Sequence, residues 1–296
     1  LELQNNIVVG NEALTISGTG VGGSGALRNL TGTNTYGGAV TLAGDTTIQT
    51  DAGTLTLSNT MSGAFAVNKT GAGTLTLSGA AANTFTGVTT VFGGTLVLNK
   101  TAGVNAIVGD AVSSKVAFDI IVDSGGTINF NNKNETFYDL KNNGTVVYGT
   151  GSITIVDPVW NPGSVNIAQD GLDVVTDLFI RGGVNTVTGT STGGPGVLTT
   201  GGLTFEQVAE SFVPDNTYPA SPADLNLTLN ADAGSAGKLV LNGNVTFGNF
   251  NAPSLTSTAS ITSAGAGANS GQIDLNGAPR TFTIADNTAA NVDMAI

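Results

Sequence analysis

The densest group of chemistry-bearing side chains is QDGLDVVTDLFIRGG at 169–183, where Asp170, Asp173, Asp177 and Arg181 lie close together. Carboxylates gathered on one face act as an acid and base pair in glycoside hydrolysis. They can also hold Ca²⁺ beside a basic proton acceptor in polysaccharide lyases. Asp is equally the residue that bonds its own backbone at turns, and the stretch reads first in that structural sense. NFNNKNE at 129–135 offers Asn131, Asn132 and Glu135 to calcium, a set with too little charge for a built site. Gly-rich GTGVGGSG at 18–25 has neither the Lys nor the following helix pattern of a phosphate cradle. The chain has no Cys and no His. That removes thiolate and imidazole metal ligands, nucleophile–histidine pairs and the commonest general base near neutral pH. No catalytic residue, cofactor or metal is therefore expected. The contact candidates are aromatic: Tyr138, Trp160 and Tyr218 would serve an adhesin for glycan or protein if they group on one flank.

The elements that must carry these residues are written in the composition. Only 10% of residues are charged and 43 of 296 are Gly. Thr and Val suit a pleated surface, whereas Gly and Asn suit tight corners, so an all-β chain with many turns is expected. Disorder is excluded because 40% of the chain is apolar and falls in alternating Leu, Val and Ile runs, the pattern of half-buried strands. The net charge of −12, with a pI near 4.1, comes with only nine basic residues, which do not cluster. Nucleic acid and anionic membrane surfaces are therefore disfavoured as partners. No apolar run approaches the roughly 20 residues of a membrane-spanning helix, so no membrane insertion is expected of this segment.

A repeated phrase supplies the architecture. DAGTLTLS (51–58), GAGTLTLS (71–78) and FGGTLVLN (92–99) place Gly53, Gly73 and Gly94 at intervals of 20 and 21 residues. Looser echoes run to SGQIDLN at 270–276. This period predicts a right-handed parallel β-helix, a solenoid of about 20 residues and three short strands per coil. Period-2 alternation points Leu55 and Leu57 inward, with Leu75 and Leu77 and then Leu96 and Leu98 stacked about 4.8 Å apart. At that period the chain makes about 11–14 coils. DPVWNPG (157–163) and FEQVAESFVPDNTYPASP (205–222) read as loop excursions, the second holding a two-turn helix from Glu206 to Phe212. The organisation expected is passenger-type repeats over 1–110, a continuation with insertions over 111–269, and a last coil at 270–296. Leu1 and the closing NVDMAI read as cuts through a continuing pattern. Adjacent segments of a longer chain, or copies stacked head to tail, are then the expected partners.

GAGTLTLSGAAANTFTGVTTVFGGTLVLN (71–99), with Lys69 and Thr70 before it, resembles the passenger-associated β-strand repeat of bacterial autotransporters. Gly71, Gly73, Thr74, Leu75, Leu77, Ser78, Gly79, Asn83, Thr84, Gly87, Thr89, Val91, Gly94, Thr95 and Leu96 occupy the positions of that pattern. Phe85 stands where Tyr is usual, and AAAN carries two extra Ala. The resemblance implies a β-helical passenger exported to the bacterial cell surface or secreted, and no single activity. A structural extracellular solenoid acting as stalk, adhesin or filament unit is the reading it supports. A polysaccharide-active β-helix enzyme is the alternative.

Overall fold

In the computed structural model the described residues are 1–101, 103–108, 118–138, 140–149, 153–155, 159–161, 164–167, 170–180, 185–188, 196–207, 224–232, 235–249, 258–264, 271–284 and 294–295. They form an all-β parallel solenoid in two units, 1–147 and 148–296. The one helical turn among them is a 3-10 turn at Val21–Gly23.

In the first unit each coil contributes to three ladders, and every pairing is parallel. One ladder stacks Glu2–Leu3, Leu27–Asn29, the latter half of Val40–Thr50, Val67–Thr70, and the opening residues of Thr89–Lys100 and Ile120–Asn129. Leu140–Asn142 completes it. A second stacks Val8–Val9, Thr33–Tyr36, Thr54–Leu57, Thr74–Gly79 and the closing residues of Thr89–Lys100 and Ile120–Asn129. The third stacks Leu14–Gly18, the opening of Val40–Thr50, Met61–Gly63 and Thr84–Phe85.

Alternation of side chains divides each strand between core and surface. Leu55, Leu75, Leu96, Ile128 and Val146 are register partners in one buried column, and Leu57, Leu77 and Leu98 form the next. Thr33, Thr54, Thr74, Thr95, Thr127 and Thr145 share the alternate register outside. Burying each Leu contributes about 1.5–3 kcal/mol, so the columns are the main source of cohesion. At the corners the coils approach too closely for a side chain. Gly53 has φ +69°, and a Cβ there would stand 2.2 Å from the carbonyl oxygen of Gly32 in the coil below. Gly94 has φ +63° and a Cβ would meet the oxygens of Gly71 and Gly73 at 2.4 Å. Gly is thus required at 53 and 94 by both backbone conformation and space, and at Gly73, where a Cβ would stand 2.8 Å from the Gly53 oxygen, by space alone.

The spacing is not constant. From Leu55 the column advances by 20 residues to Leu75, 21 to Leu96, 32 to Ile128 and 18 to Val146. The long step contains the chain between Lys100 and Ile120, of which Asn105 and Ala106 bond to the coils on either side.

The second unit has three ladders of five strands each among the described residues. Ile153, Leu172, Leu198, Leu239 and Ile273 mark one of them, at intervals of 19, 26, 41 and 34 residues. A uniform period near 20 therefore does not extend over 148–296, although seven strands in the first unit's first ladder and five in each ladder of the second give 12 layers among the described residues, within the expected 11–14 coils. The added residues lie between ladder strands, where chain can be inserted without changing the pairing. Val159–Asn161, expected in an excursion, is instead a strand in register with Leu178–Ile180. Glu206 and Gln207, expected to open a helix, close the strand Gly196–Gln207 and pair with Gly248 and Asn249. The rest of that helix, 208–212, lies outside the described residues. Among the described residues one strand pairing is antiparallel, Ala231 with Ala236 and Asp232 with Ser235.

Candidate functional site

The acidic stretch lies on the strand Asp170–Ile180. Asp173 is in register with Thr154 on one side and Thr199 on the other, Asp170 with Gly196, and Asp177 with Gly202 beyond a register shift after Val174. No second carboxylate occupies any of these paired positions. Arg181 lies outside the described residues, as does Tyr218. Trp160 belongs to the strand Val159–Asn161 and is in register with Phe179. Tyr138 is half-buried in the first unit, and its backbone N–H donates to the buried Asp119 carboxylate at 2.8 Å. Asn131 and Asn132 form a left-handed bend with φ 50° and 59°. The Asn131 side chain donates to that of Asn99 at 3.0 Å, while Glu135 is carried into the core. The three do not converge on a calcium position.

The polar groups the structure brings together are ones the sequence reading passed over: charged side chains inside the first unit. Lys69 occupies a core column between Ile48 and Val91 and is fully buried. Its strand alternates Val67 and Lys69 inward with Asn68 and Thr70 outward. Its ammonium donates at 2.9 Å to the carbonyl oxygens of Thr70, Gly71 and Gly93, the first two at its own corner and the third one coil on. Desolvation lowers its pKa to about 8. It is therefore still charged at neutral pH, with all three donors used. Period-2 alternation was the available signal, because it puts Lys69 on the same face as Val67.

A second polar group spans four coils. The Asn83 carbonyl accepts from Met61 N–H at 2.9 Å, and its amide donates to the Ala106 oxygen at 2.8 Å. Ala106 N–H donates to both Glu135 oxygens at 2.9 and 3.0 Å. Asn105 continues the alignment, accepting from Asn83 N–H at 3.3 Å and donating from its side chain to Thr136 at 3.3 Å. Residues 105–107 are not a strand, yet side chains from the coils on either side bond them into the wall. Burial raises the Glu135 pKa to about 7, opposed by the Ala106 and Ile107 N–H groups and the charge of Lys100. Lys100 is also buried, donates to the Asn59 carbonyl at 2.9 Å, and has its pKa lowered by desolvation.

These groups are buried and bond to backbone partners, an arrangement that ties neighbouring coils together. A concavity of about 600 Å³ lies by the first coil. Leu14, Ile16 and Val21 line it, with Arg28, which donates to Glu2 and Asp51. Among the described residues no group of three acidic side chains is placed to hold a metal ion.

A family model described as the passenger-associated transport repeat matches residues 48–69 and 67–98. The two matches contain the Leu-x-Leu columns, Gly53, Gly73, Gly94 and the buried Lys69. Residues 48–98 therefore carry the autotransporter passenger repeat that their sequence resembles. No curated protein and no solved structure matches the chain.

Proposed function

We propose, taking the passenger repeats of residues 48–98 as premise, that this chain is a non-catalytic segment of an extracellular bacterial passenger, working as a stiff stalk. The repeat is a structural passenger element and implies a bacterial surface or extracellular location. The observation that carries the stalk reading is axial continuity. Leu55, Leu75 and Leu96, and beside them Leu57, Leu77 and Leu98, stack without interruption under continuous parallel ladders. Such a wall resists bending and local opening because each coil is bonded on both sides. An adhesive role would reside in the loops between ladder strands, since loops on a rigid scaffold are where contacts are placed.

The test is a protease and turnover assay on the purified chain. Limited trypsin digestion should leave a large resistant core, and incubation with acidic and neutral polysaccharides should release no fragments. Release of fragments that is lost in Asp173→Asn would establish the enzyme reading instead. Electron microscopy tests the filament reading: end-to-end filaments support it, and isolated single particles overturn it.

A further inference from the structure

We propose that Lys100 and Asn83 are joined in the folded chain by an isopeptide bond, with Glu135 as the group that accepts the lysine proton. The three side chains lie in the core of the first unit, each 1% exposed. Lys100 closes the strand Thr89–Lys100 in register with Gly79, and its side chain passes that glycine to reach the Asn59 carbonyl, one coil further back. Asn83 leads into the strand Thr84–Phe85, and its Oδ1 accepts from Met61 N–H. The ammonium and the carboxamide are thus bonded to backbone groups on either side of Thr60, within reach of each other by rotation of the Lys100 side chain. Ala106 accepts from Asn83 Nδ2 at its carbonyl and donates to both Glu135 oxygens at its N–H, so carboxamide nitrogen and carboxylate are held at the two ends of one residue. The charges of Glu135 and Lys100 act on each other. Lys69, the other lysine of this core, has a carbonyl for each of its three donors. Lys100 has one hydrogen-bond partner among the described residues and two donors uncommitted. An ammonium buried in that state is costly, and acylation removes its charge.

The step needs no group beyond these three. Glu135 takes a proton from the Lys100 ammonium, and the neutral Nζ attacks Cγ of Asn83. The Nζ–Cγ bond forms, the Cγ–Nδ2 bond breaks, and Nδ2 leaves as ammonia. Of the three ammonium protons, one is left on Glu135, one departs with the ammonia and one stays on the new amide. Met61 N–H is already aimed at Oδ1, where negative charge develops during the attack. Burial lowers the Lys100 pKa and raises that of Glu135 to about 7, so exclusion of water favours both products of the first proton transfer. The bond closes residues 83–100 into a loop and fastens two consecutive coils covalently.

Mass spectrometry of the purified intact chain tests this. The expected mass is that of the sequence less one ammonia. Trypsin acting on the denatured chain should leave Lys100 uncut, because an acylated lysine is not a cleavage site. The resulting peptide 70–115 should carry the ammonia loss and yield no fragment ions from breaks between Asn83 and Lys100. Lys100→Arg, which keeps the charge and cannot be acylated in this way, should restore the full mass, as should Asn83→Ala. Glu135→Gln should accumulate unlinked chain. The bond is overturned by the full sequence mass in the wild-type chain, by cleavage after Lys100, or by an ammonia loss that persists in Lys100→Arg, which would mark a cyclised asparagine instead. Linkage in Glu135→Gln to the wild-type extent overturns the part given to Glu135. Should the variants not fold, the wild-type mass and peptide map decide alone.

Discussion

Lys69 shows how a charge can be part of an aliphatic column. Its neighbours in register are Ile48 and Val91, and its ammonium satisfies three corner carbonyls that face away from the axial ladder. Lys69→Ala removes those donors and leaves a cavity, an expected loss of about 2–4 kcal/mol in urea unfolding. Lys133→Ala, at a half-buried bend, should change stability by less than about 0.5 kcal/mol. This part of the core was half legible. Leu55, Leu57, Leu75, Leu77, Leu96 and Leu98 announce themselves by alternation, whereas Lys69 and Lys100 were given no place in the core and Glu135 was weighed as a calcium ligand, because charge is generally exposed. Their burial depends on carbonyl and amide partners from other coils, 41 residues away for Lys100 and 29 for Glu135. No local pattern encodes such partners.

The coil is the natural element, and its register makes a deletion experiment decisive. Excising Thr54–Gly73 joins Gly53 to Thr74, and because Thr54 and Thr74 are register partners the upper coils settle onto Thr33–Tyr36 with every column intact. The shortened chain should unfold cooperatively in urea with a slightly smaller dependence on denaturant. Excising only Ser58–Val67 breaks the register of all later strands and should give an aggregated or unfolded product by circular dichroism. The repeat was legible over 48–98 because near-identical phrases recur there at one interval. It was not legible in the second unit, where the steps are 26, 41 and 34 residues. There, only two or three inward residues per strand are constrained, and the connecting chain is free to vary. The same freedom explains why Val159–Asn161 and Glu206–Gln207 were misread. Pro beside Trp suggested a loop, and the run at 206–212 carried a helical spacing, but axial pairing overrode both.

For the molecule as a whole, charge governs association. With 21 acidic and nine basic residues and a pI near 4.1, copies repel at neutral pH. Light scattering should show association rising as the solution approaches pH 4 and reversing on return to pH 7. The long step from Leu96 to Ile128 bears on how such a chain measures distance. Thirty-two residues there gain the same single layer as the 20 from Leu55 to Leu75. The reach of this protein is thus a ruler graduated in layers, and sequence added between graduations changes what the ruler displays and leaves its scale untouched.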